Sequence, residues 1–73
     1  MRTTSELISI VRAGGSLIIK GSSKTTSELI SIVRSASESS QVIIKGVNNK
    51  TTSELISISR AAEGKKVIFD LTE

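Results

Sequence analysis

One decapeptide occurs three times in 73 residues, and this repetition limits the chain more than any other feature. Thr3–Arg12, Thr25–Arg34 and Thr51–Arg60 read TTSELISIxR, with Val11, Val33 and Ser59 at the one variable place. Each block is followed by a short aliphatic run: Leu17-Ile18-Ile19-Lys20, Val42-Ile43-Ile44-Lys45 and Val67-Ile68-Phe69-Asp70. Self-similarity at such a period marks one supersecondary unit used repeatedly, each copy covering the apolar face of the next. The chain therefore divides into units 3–24, 25–50 and 51–73 within a single domain, 1–73. Near-identity of the copies implies a recent duplication or an engineered repeat.

Within each unit the decapeptide reads as a helix. Thr3, Thr25 and Thr51 stand three residues before Glu6, Glu28 and Glu54, the spacing of a capping box. Leu7, Ile8, Ile10 and Val11 spread over roughly 160° of a helical wheel. That arc suits a helix lying on a sheet with helical neighbours beside it. Helices are expected over 4–13, 26–36 and 52–62. The β-branched runs, with Gly21-Ser22-Ser23 and Gly46-Val47-Asn48-Asn49 as turns beyond the first two, read as strands over 17–20, 42–45 and 67–71. Alternating helices and strands with short links imply parallel pairing and right-handed crossovers. The fold expected is α/β: a parallel sheet in order 1-2-3 with the helices on one face, a two-layer, solenoid-like stack. The alternative is order 2-1-3 with helices on both faces. In period, and in having a strand and a helix per unit, the layout resembles the leucine-rich repeats. The family's L-x-x-L-x-L-x-x-N pattern is not met, so the resemblance implies architecture alone.

A chain this short buries little surface, and small folds usually lean on disulfides, a metal or self-association. There is no Cys and no His, which removes the first two supports. Missing cysteines fit a reducing compartment, and neither a signal-like nor a membrane-spanning apolar run is present, so a cytoplasmic location is expected. The net charge of +3 is modest for a nucleic-acid binder, and Phe69 is the only aromatic that could stack on a base.

Nothing in the sequence builds a catalytic site. Gly21-Ser22-Ser23-Lys24-Thr25 sits between strand and helix like a phosphate loop, but it is shorter than G-x-x-x-x-G-K-[ST] and has Ser23 where the second Gly belongs. Serines are many, yet no His is available as a base. The recurring Glu residues are expected as a row of caps, and Arg12, Arg34 and Arg60 as last-turn cations favoured by the helix dipole. No enzyme activity, cofactor, metal or small-molecule substrate is expected.

The most informative positions lie on the strands. Leu17/Ile19, Val42/Ile44 and Val67/Phe69/Leu71 are expected to face the helices, leaving Ile18/Lys20, Ile43/Lys45 and Ile68/Asp70 on the other face. Burying an isoleucine is worth roughly 1.5–3 kcal/mol, and a small core supplies only about 3–5 kcal/mol net. Covering Ile18, Ile43 and Ile68 would therefore matter as much as the fold. The expected function is structural or protein-binding, with a homodimer or higher homo-oligomer joined through this face, flanked by Lys20, Lys45 and Asp70. The alternative is a small basic module that holds nucleic acid or an acidic protein through Arg12, Arg34, Arg60, Lys20 and Lys45.

Overall fold

The computed structural model describes residues 3–72. Helices α1 (Thr4–Arg12), α2 (Thr26–Ser35) and α3 (Thr52–Ala61) alternate with strands β1 (Leu17–Lys20), β2 (Gln41–Lys45) and β3 (Lys66–Phe69). The sheet is parallel throughout, in order β1-β2-β3.

All three helices begin at the capping box read from the sequence. Thr3, Thr25 and Thr51 accept from the backbone N–H of Glu6, Glu28 and Glu54, and each Glu carboxylate accepts in return from the Thr backbone N–H. Each helix ends one residue before the expected limit, with Ala13, Ala36 and Ala62 as caps. At the first of these ends Gly14 takes φ +102°, a conformation that a side chain would strain.

The core lies in one layer between helices and sheet. Leu7, Val11, Leu29, Ile32, Val33 and Ile58 come down from the helices to meet Ile19, Val42 and Ile44. The middle unit is best covered: Leu29, Ile32, Val33, Val42 and Ile44 have no exposed surface. In β1 and β3, Leu17, Val67 and Phe69 are only half-buried, because each edge strand lacks a neighbour on one side.

Three local expectations need correction. β2 and β3 each begin one residue earlier than read, at Gln41 and Lys66. β3 stops at Phe69, so Leu71 leaves the sheet and is 56% exposed instead of facing the helices. Val47, read as part of a turn, is fully buried. It packs where Gly21 has no side chain: a Cβ at Gly21 would come within 2.4 Å of the Val47 side chain.

Candidate functional site

The sheet face turned away from the helices is the candidate site. Register brings its three isoleucines into one row, Ile18 beside Ile43 and Ile43 beside Ile68. Ile18 is 67% exposed and Ile68 45%, while Ile43, flanked by both, is half-buried. An aliphatic row across bare parallel sheet is unusual, since such sheets are normally covered on both faces.

Two residues further along the strands the same face becomes charged. Lys20 and Lys45 are in register on β1 and β2 and both are exposed. Asp70 follows β3, its backbone N–H donating to the Ile44 carbonyl at 2.9 Å, which places it next to Lys45. Its carboxylate accepts from the Thr72 hydroxyl and from the Thr72 backbone N–H. Those two bonds, then the nearby charge of Lys45, hold the Asp70 carboxyl below its ordinary pKa.

Arg12, Arg34 and Arg60 stand in the last turns of their helices and are exposed. Arg34 and Arg60 border a shallow groove between α2 and α3, with Ile30, Ser57, Ala61 and Glu63. Glu63 brings a negative charge into that groove, and the helix C-termini bring the negative end of their dipoles. The Arg row lies in the helix layer, at the end where the chain enters the strands; Lys20 and Lys45 lie where the strands end, on the far face of the sheet. The five cations of the alternative reading thus form two rows on separate surfaces.

Sequence reading missed a set of bonds that tie each unit to the next. The Thr4 hydroxyl donates to Glu28 and the Thr26 hydroxyl to Glu54, both at 2.9 Å. The Glu residues that cap their own helices therefore also anchor the preceding one. At the other end of the helices, the Val11 carbonyl accepts from the Ser40 hydroxyl at 2.8 Å and the Ser37 N–H at 3.2 Å, and Lys65 donates to the Arg34 carbonyl at 3.0 Å. A Thr one place after each cap was the available signal; its partner lies more than twenty residues away, beyond the reach of local pattern.

Among the described residues no group of three or more acidic side chains is placed to hold a metal ion, and no helix is long and apolar enough to cross a membrane. No known protein family, curated protein or solved structure matches the chain.

Proposed function

We propose that the protein is a non-enzymatic association module, and that a second copy of the chain covers the Ile18–Ile43–Ile68 row. The observation that carries this reading is the register, which sets three large aliphatic side chains side by side on an uncovered sheet. The charges beside the row favour a second copy over an unrelated partner. If two sheets meet face to face about a twofold axis running along the strands, β1 of one copy lies over β3 of the other. Lys20 then faces the partner's Asp70 at both edges, Lys45 comes over the partner's Lys45 near the axis with Asp70 of its own chain beside it, and the isoleucine rows meet alongside across the full width of the sheets. The result is four layers, helix–sheet–sheet–helix, with the sheets about 10 Å apart.

Sedimentation of Ile43→Lys tests this. A lysine at the centre of the row should halve the mass. Because Ile43 is half-buried and the variant can lose its fold, the more exposed Ile18→Lys serves beside it, with circular dichroism to confirm a folded chain. A wild-type chain that is monomeric at high micromolar concentration, or a folded Ile18→Lys variant of wild-type mass, would overturn the proposal. Salt separates it from the second reading, binding of an acidic partner by Arg12, Arg34 and Arg60: apolar pairing persists as salt rises, whereas binding to a polyanion weakens steeply.

A further inference from the structure

A second surface is defined by an interface that the chain makes twice within itself. Position by position, the three units show which side chains look forward to the next unit and which look back. Val11 and Val33 are fully buried, but their counterpart Ser59 is exposed. Ile8 and Ile30 are half-buried, but Ile56 is 46% exposed. These positions lose cover only in the last unit, so they face forward. Ile32 and Ile58 are fully buried while Ile10 is half-buried, so this position faces back. The backbone agrees, since β1 and β3 are the open edges of a parallel sheet. A strand edge of this kind is a template for another strand.

We propose that the protein also associates head to tail, the β1 edge of a second copy adding in parallel beside β3 and repeating the α1–α2 and β1–β2 contacts across the junction. Ile10 of the second copy then covers Ile56 and Leu55, as Ile32 and Ile58 cover the forward faces of α1 and α2. Thr52 is exposed at the place from which Thr4 and Thr26 donate forward, as expected of a position that faces the next unit. Because the two joined surfaces differ, the contact is heterologous: it extends to rings or filaments instead of stopping at two copies. Two departures make it weaker than the internal junctions. Ser59 replaces the buried valine, and Leu71 stands where β1 and β2 are followed by Gly21 and Gly46.

Ser59→Val and Ile56→Lys test the proposal, both made together with Ile18→Lys so that pairing through the sheet face does not obscure the result. Restoring the valine should tighten association about tenfold and yield species beyond a dimer in sedimentation. The lysine, on a surface already partly exposed, should keep the chain folded and monomeric at the same concentrations. If the Ser59→Val chain stays monomeric up to its solubility limit, or if the Ile56→Lys chain associates equally well, the proposal fails. Should Ile18→Lys alone leave the wild-type mass unchanged, the sheet-face pairing fails, and the comparison of Ser59→Val with Ile56→Lys still decides the head-to-tail contact.

Discussion

Glu28 and Glu54 each serve two helices through one carboxylate. In Glu28 the Thr25 backbone N–H, then the Thr4 hydroxyl, hold the carboxyl below its ordinary value of 4.5, with further help from the Thr25 hydroxyl and Lys24. In Glu54 the Thr51 backbone N–H and the Thr26 hydroxyl do the same, followed by the Thr51 hydroxyl and Lys50. A carboxyl with a depressed pKa in the folded state binds fewer protons there than in the unfolded chain. Its contribution to stability is present above the unfolded value near 4.5 and is lost as pH falls through the lower folded value. The urea midpoint should therefore drop between about pH 5 and pH 3. Thr26→Val, which removes one donor from Glu54, should make that drop smaller.

Between elements, the fit is closest where β1 gives way to the turn at Gly21–Ser23. An alanine at 21 would press its Cβ against Val47 and, at 2.9 Å, Ile44, both fully buried. Gly21→Ala should cost about 1–3 kcal/mol in urea unfolding, the range for overpacking a filled core. This junction also marks where sequence reading ends. The order 1-2-3, expected from repetition of one unit with 2-1-3 as the alternative, is the order found. The capping boxes and the alternation in β1 and β2 follow from local pattern, because Thr–Glu spacing and β-branched runs act over a few residues. The burial of Val47 does not, since its neighbours Gly46 and Asn48 spell a turn and only the close approach of Gly21 creates its pocket. Nor does the exposure of Leu71: it continues the alternation of Val67 and Phe69, but β3 ends at Phe69, so the pleat that would turn it toward the helices does not reach it. The isoleucine row was legible because a parallel register places equivalent residues of successive units side by side. The bonds that join one helix to the next were not, because they depend on how far apart the helices sit.

Across the whole molecule, protection is expected to follow the layering outward from the middle unit. β2 is paired on both sides, and Val42 and Ile44 are fully buried. Amide exchange should be slowest in β2 and α2 and faster in β1, β3 and α3, a gradient of local opening characteristic of stacked units. Equal protection in all three strands would show that the chain opens only as a whole. If copies join head to tail, protection of β1 and β3 should rise with concentration while β2 changes little. The strand order also fixes how the fold responds to force. Residue 3 lies at the β1 side of the sheet and residue 72 at the β3 side. A pull that separates those two points is directed across the strands, along the hydrogen bonds between them. Such a load parts one strand from its neighbour a few bonds at a time, like a zip, instead of shearing a whole ladder at once. The protein should yield at low tension and in steps, the outer units peeling away before the centre gives.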